Sequence, residues 1–428
     1  MKSENPTITQ SSYQTWDAYR MDNGLVELQV VPDIGGRVIQ FTLGEKGFFW
    51  INPALKGSSS PDTGLAPDGG FMNYGGDKLW PAPQGWSKDE QWPGPPDAVL
   101  DGQPYRARIN TQTASIYLTS RDDLRSGIRF SRNIRLYPNS TRVSIEASML
   151  NIDSKPRRWG IWGHTQLDAS VPGEAAFNSR MRAWCPINPD SRFEKGYDVI
   201  FGEKDNPSFK TDSQRGLMQV DYHYRVGKIG LDSDAGWVAT VDGRKGDVFI
   251  QRFTYEPDKA YPDGSSVEFW HNGLGRIHAY NEWTEMADNR EENPYVFESE
   301  VLSPFATLEP NEQYAWSYDW YACSIGGDYP VIDCTDAGLI SEPLQVRRDG
   351  DEVLLTGRFG VFSIGQLDWE AYDTKGQVLS SGQLEKRVTP LKAVVLKQRI
   401  KLPESAVRLA LIIRTSQGEQ SLTTSSLE

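Results

Sequence analysis

The chain has 428 residues, more than one hydrophobic core usually supports, so a large domain with a smaller companion is the expected organisation. Lys and Arg number 45 against 58 Asp and Glu, a formal net charge of −13, and no basic block offsets the acidic excess, which excludes a nucleic-acid partner. No run of about eighteen apolar residues occurs, and the opening "MKSENPTITQSSYQTW" lacks an apolar leader core, so neither a membrane partner nor an export signal is expected. Cys185, Cys323 and Cys334 cannot all pair and none stand at CxxC spacing. A disulfide framework and a zinc cage are therefore not expected, and the chain reads as a reduced, cytoplasmic protein. Aromatic residues make up 11% of the chain, with 14 Trp and 18 Tyr, which suits either sugar stacking or the interior of β-sheets.

Alternation of apolar and polar residues predicts strands throughout. "LVELQVVP" (25–32), "RVIQFTLG" (37–44), "ASIYLTSR" (114–121), "GIRFSRNIRLYP" (127–138) and "RVSIEASMLNI" (142–152) each read as half-buried strands ended by turn residues. In the last, Val143, Ile145, Ala147 and Met149 share one face. Further strands are predicted at "GWVATVD" (236–242), "DVFIQRFTYE" (247–256), "SSVEFWHNG" (265–273), "PYVFESEVLSP" (294–304) and "EQYAWSYDWYAC" (312–323), and no convincing helix. Many antiparallel strands with irregular loops imply a large sandwich of stacked sheets. Beyond "GGDYPVIDCTDAG" (326–338), about five to seven short, evenly spaced strands predict a small immunoglobulin-like sandwich. The expected division is 1–335 for the large domain and 340–428 for the accessory one, with Trp369 in the accessory core.

Three segments carry candidate chemistry. "GGDKLWPAPQGW" (75–86) reads as an irregular loop whose Asp77, Lys78, Trp80, Gln84 and Trp86 are more than a connector needs, and it is expected to line a ligand site. In "RRWGIWGHTQLD" (157–168), an extended chain puts Trp162, His164, Gln166 and Asp168 on one face: a ring to stack on a sugar, and an amide and a carboxylate for its hydroxyls. In "PYVFESEVLSP", Glu298 and Glu300 share a face with Val296 and Leu302, so they either meet a polar cavity or a cation, or lie exposed and pair with Arg157 or Arg158. Arg37, after two glycines, either caps a hairpin or reaches a ligand. His223, His271 and His278 lack metal-site spacing and read as structural.

The run from "GIRFSRNIRLYP" to "GHTQLD" resembles the central part of the aldose 1-epimerase (galactose mutarotase-like) superfamily, and looks most like an uncharacterised branch of it. "VPDIGGRVIQFTLGEKGFFWIN" is similar to that family's early Gly-Gly-Arg hairpin, "GGDKLWPAPQGW" with "VLDGQPY" to its Gly-Gly loop and later turn, and "YVFESEVLSPFATLEPNEQYAWSYDW" to its glutamate strand. The resemblance spans about residues 20 to 325. It implies a β-supersandwich with a concave sugar site, His164 at the general-acid position, Glu300 or Glu298 at the base position, and no cofactor or metal. The chain departs from the family's pattern in having Thr165 and Gln166 directly after His164 and no earlier histidine. In the implied reaction a carboxylate takes the anomeric proton while an imidazolium, favoured by carboxylates such as Asp168, protonates the ring oxygen.

Three functions stay open: an aldose 1-epimerase-like isomerase, a non-catalytic carbohydrate-binding protein, and a polysaccharide lyase-like enzyme acting on a uronate. The first needs His164 and a glutamate around a pocket for one sugar. The last needs a long groove and a cationic clamp, for which Arg37, Lys78 and Arg157 are the candidates.

Overall fold

Alternating side chains make half-buried strands, and half-buried strands must cover their apolar faces with one another. A computed structural model describes residues 5–59, 61–279, 281–349 and 352–427. Among them no α-helix occurs, and only the short turns Pro53–Leu55, Ala98–Gly102 and Pro262–Gly264 are helical. The fold is all-β, as the patterning predicts.

Two large antiparallel sheets form most of the molecule. The order in the larger is Thr7–Tyr13, Trp16–Asp22, Val26–Val31, Arg37–Leu43, Asp77–Ala82, Arg157–Asp168, Val296–Leu302, Val267–His271, Gly227–Leu231, Asp198–Gly202. The other is a ten-stranded sheet in which Gln313–Ser324 lies between Val143–Asn151 and Asp247–Phe253. Their facing sides interlock: Phe41 meets Phe249 and Trp320, while Ile161, Phe297 and Val301 share one core with Ile145, Met149 and Tyr318. Gly163 leaves the room this needs, since a Cβ there would lie 3.1 Å from the Tyr318 hydroxyl.

A buried polar seam also crosses between the sheets. Asp77 accepts from Arg132 Nη1 at 2.6 Å and from Thr165 Oγ1 at 2.8 Å. Gln251 Nε2 donates to Thr165 Oγ1 at 3.3 Å, and Gln251 Oε1 accepts from Ser299 Oγ at 2.6 Å. This seam ties three neighbouring strands of the larger sheet (Asp77–Ala82, Arg157–Asp168 and Val296–Leu302) to the other sheet and fixes their outward faces.

The stretch 75–86 departs from its expected form. Asp77–Ala82 is a strand of the larger sheet, paired from Thr165↔Asp77 to Gly160↔Ala82. Pro81 fits because, on its other side, this strand pairs with Arg37–Leu43 only at Asp77↔Val38, so the missing N–H breaks no ladder there.

Toward the C-terminus, strands from Asp333–Cys334 to Gly418–Ser426 build two four-stranded sheets, eight strands in all. They enclose a core of their own that includes Leu355, Phe359, Leu367, Trp369 and Leu411. This unit abuts the outer face of the ten-stranded sheet through an apolar cluster in which the Tyr321 and Phe362 rings stack with centroids 4.4 Å apart.

Candidate active site

The outward face of the larger sheet gathers ionisable groups from five adjacent strands. Register decides who meets whom: His164 stands opposite Lys78 on one side and Glu300 on the other, Gln166 opposite Glu298, and Glu300 opposite Glu268. Lys228, from Gly227–Leu231, reaches in from the next strand. All of these side chains are buried.

Two hydrogen-bonded groups result. In the first, Glu298 accepts from Gln166 Nε2 at 2.7 Å and lies 3.0 Å from His164 Nε2. Burial, and then the charge of Lys78, lowers the pKa of His164 well below 6.5, while burial raises that of Glu298. A single proton therefore lies between the two, and His164 is a neutral imidazole rather than the expected imidazolium. Asp168 does not alter this, because it sits at the strand's end with Oδ1 accepting from the Ser170 amide.

In the second group Lys228 Nζ donates to Glu268 Oε2 at 2.7 Å and to Glu300 Oε2 at 2.9 Å, and the Trp162 indole donates to the same Glu300 oxygen at 2.7 Å. Lys228 also lies 4.1 Å from the Trp162 ring centroid. Lys228 is thus the cation that the two-glutamate strand was expected to need, whereas Arg157 pairs with Asp153. His164, Glu298 and Glu300 bring possible metal-ligand atoms within 4.8 Å of one another, but the Lys228 ammonium already neutralises Glu300.

The remaining expected residues divide by strand face. Lys78 lies on the site face with Nζ buried and without a hydrogen-bond partner; Asp101 Oδ1 is 3.9 Å away and the Trp80 ring centroid 4.4 Å. Burial, then the Arg37 charge, lowers its pKa to about 7. Trp80 is not an exposed stacking ring: it packs against His164 with centroids 4.1 Å apart and donates to Asp101 Oδ1 at 3.0 Å. Asp77 points the other way, into the seam with Arg132, because neighbours on a strand face opposite sides. Arg37 is wholly buried and spends its guanidinium on Asp101 and on the carbonyls of Ile34 and Gly75.

Gln84 borders a cavity of about 10 Å³ beside Trp162, Lys228, Glu268, Asp263 and Phe201, room for one water at most. Half-buried Trp86 lies above it against Phe201, which in turn meets Trp270.

Lys228, Glu268, Asp101 and Trp270 did not emerge from sequence reasoning. Glu268 and Trp270 were accessible to it, since "VEFWH" alternates as "VFESEVL" does. Lys228 had no local signal.

One property unites the site. His164 Nδ1, Gln166 Oε1, Glu268 Oε1, Glu300 Oε1 and Lys78 Nζ are all buried without partners. Buried polar atoms are rarely left so, and such a set calls for a ligand rich in hydroxyls, which both donate and accept. A larger cleft of about 830 Å³ lies between the ten-stranded sheet and the C-terminal strands, and four of the charges lining it are spent on one another, Arg142 with Asp319 and Arg252 with Asp336.

Residues 17–322 match the family model described as Domain of unknown function (DUF4380). No curated protein matches the chain. Among solved structures it is similar to a TPR-domain containing protein from Parabacteroides distasonis, at 14% identity and a TM-score of 0.46, over 77% of this chain and 54% of that one. It is also similar to a galactose mutarotase-like protein from Lactobacillus casei, at 8% identity and a TM-score of 0.44, over 71% of this chain and 99% of that one. A galactose mutarotase related enzyme from Lactobacillus acidophilus is similar at 11% identity and a TM-score of 0.42, over 72% of this chain and 97% of that one.

Proposed function

The chain belongs to the family described as Domain of unknown function (DUF4380), and we propose that it interconverts the anomers of a neutral aldose by acid–base catalysis on the outward face of its larger sheet. The observation that carries this reading is the set of buried polar atoms left unpartnered around His164, Gln166, Glu268 and Glu300. Sugar hydroxyls both donate and accept, and the rings of Trp86, Phe201 and Trp270 offer apolar faces beside them. The resemblance of the Gly-Gly-Arg, histidine and glutamate segments to the aldose 1-epimerase superfamily agrees with this in kind.

Glu300 is the base in this reading. Its Oε2 accepts from Lys228 and Trp162, and its Oε1 is left for the anomeric hydroxyl. Pro83 and Gln84, which line the cavity, must shift to admit a sugar, since it holds no more than a water. The uronate reading is weaker, because Lys78 is the one cation of the cluster left without a hydrogen-bond partner. The neutral state of His164 favours a second reading, carbohydrate binding without turnover, in which the expected acid is absent. No helix among the described residues is long and apolar enough to cross a membrane, and three buried free thiols accord with a reducing, cytoplasmic setting.

Saturation-transfer NMR on a panel of aldoses, sugar phosphates and uronic acids tests the proposal. Exchange between anomers is expected for a neutral aldose, falling by about 10²- to 10⁴-fold in E300Q with sugar binding retained. Binding without exchange in the wild type selects the second reading.

A further inference from the structure

Ring opening needs a proton on the ring oxygen, and a neutral His164 does not hold one to give. We propose that Glu268 is the proton donor of this site, working opposite Glu300 across the shared Lys228; the assignment rests on the acid–base reading above. Glu268 and Glu300 face each other on neighbouring strands and hold one ammonium between them, at 2.7 and 2.9 Å. Two carboxylates and one ammonium in a dry layer leave an excess negative charge, and such a pair keeps a proton on one member.

The partners decide which member. Glu300 Oε2 takes donors from both Lys228 and Trp162, whereas Glu268 has Lys228 alone. The charged and titratable groups facing Glu268 are Lys228 from one strand, Glu300 and Glu298 from the next, His164 beyond them, and Asp263 from the Pro262–Gly264 turn. Burial, working against Lys228 and with Glu300 and Asp263, raises the Glu268 pKa to about 8, so it is protonated at neutral pH. Of the two glutamates, Glu268 is the one that borders the cavity, and its Oε1 has no partner. The acid thus lies where a ligand first arrives.

The step balances without a cofactor. Glu300 takes the hydrogen of the anomeric hydroxyl, the bond from the anomeric carbon to the ring oxygen breaks with its electron pair going to that oxygen, and the oxygen takes the proton of Glu268. The open-chain aldehyde results. Rotation about the first carbon–carbon bond and the reverse transfers close the other anomer and restore both carboxyls.

E268Q keeps the shape and a bond to Lys228 but has no proton to give. Two readouts are needed: anomer exchange by saturation transfer, and the infrared band of a protonated carboxyl in glutamate-labelled protein at pH 7. The expected results are exchange that declines above pH about 8 in the wild type, a loss of about 10²- to 10⁴-fold in E268Q with binding retained, and a carboxyl band that E268Q removes. E268D, which keeps an acid at shorter reach, is expected to recover part of the exchange and its alkaline decline, which a merely structural role would not produce. Unchanged exchange and pH profile in E268Q, or a glutamate carboxyl spectrum that E268Q leaves unchanged, overturns the assignment. A wild type that exchanges no aldose but loses the band in E268Q overturns the anomerase reading while leaving the proton on Glu268.

Discussion

The two faces of the strands Asp77–Ala82, Arg157–Asp168 and Val296–Leu302 both bury polar groups, yet they treat them oppositely. On the inner face, Asp77, Arg132, Thr165, Gln251 and Ser299 bond one another and none leaves a side-chain atom unpartnered. On the outer face, Lys78, His164, Gln166, Glu268 and Glu300 each leave one. A satisfied buried network specifies packing, whereas an unsatisfied one stores a cost that a ligand can relieve. Alternate residues of the same strands thus hold the sandwich together and line the candidate site.

The sharpest way to break the contrast is to remove the seam's only cation. R132M leaves the Asp77 carboxylate buried without its charge partner, and breaking such a pair costs about 3–5 kcal/mol. The loss is expected in urea denaturation without any ligand present. A cost below about 1 kcal/mol would show that the seam is not what joins the sheets.

The opposite sign is expected on the outer face. Lys78 is wholly buried, and its Nζ has no hydrogen-bond partner. K78M keeps the length of the side chain and removes an unsatisfied donor, so it is expected to stabilise the protein by roughly 1–3 kcal/mol. The same denaturation series reads it, and a destabilised K78M would mean that the Lys78 charge is needed by Asp101 in the folded chain. Ligand affinity is expected to fall even as stability rises, the trade that sites impose.

The same division explains how much the sequence disclosed. Period-two alternation located the strands through Val143–Met149 and put Trp162, His164 and Gln166 on one face, because a half-buried strand writes its orientation into its own residues. Glu298 and Glu300 stood out since two acids among apolar neighbours demand a partner. The partner of Glu300, Lys228, lies 72 residues away and reaches it only through the sheet order, which no local pattern records. Reading 75–86 as a loop, on the strength of its glycines and prolines, placed Asp77 and Lys78 together; the strand separates them onto the two faces. His164 as an imidazolium failed for a similar reason: Asp168, its sequence neighbour, is tied to the Ser170 amide, while burial and the Lys78 charge lower the pKa of the ring.

The smallest effect near neutrality sharpens the contrast from the core side. His271 lies on the inner face among Phe209, Tyr222 and Phe297, with neither ring nitrogen partnered. Burial, with a smaller contribution from His223 against Asp221, lowers its pKa from 6.5 to about 3. The sign follows from proton counts. Between those values the unfolded chain binds a proton that the folded chain refuses, so this group's contribution to stability is whole above pH 6.5 and is lost as pH falls toward 3. H271F fills the same aromatic pocket without a titrating group, and its stability difference from the wild type at pH 7 serves as the reference. One pH unit below the ordinary histidine pKa that difference should move in favour of H271F by roughly 1.4 kcal/mol. Raised carboxylates such as Glu268 act in the opposite direction, with stability present below the ordinary carboxylate range and lost as pH rises through about 8, but they are common to both proteins and cancel in the difference. Denaturation curves at pH 7.5, 6.5 and 5.5, set as round conditions about one unit apart on either side of that pKa, measure it directly. A difference that does not grow on acidification would mean that His271 is protonated inside the fold, and the inner face would then hold an unsatisfied charge like those of the outer one.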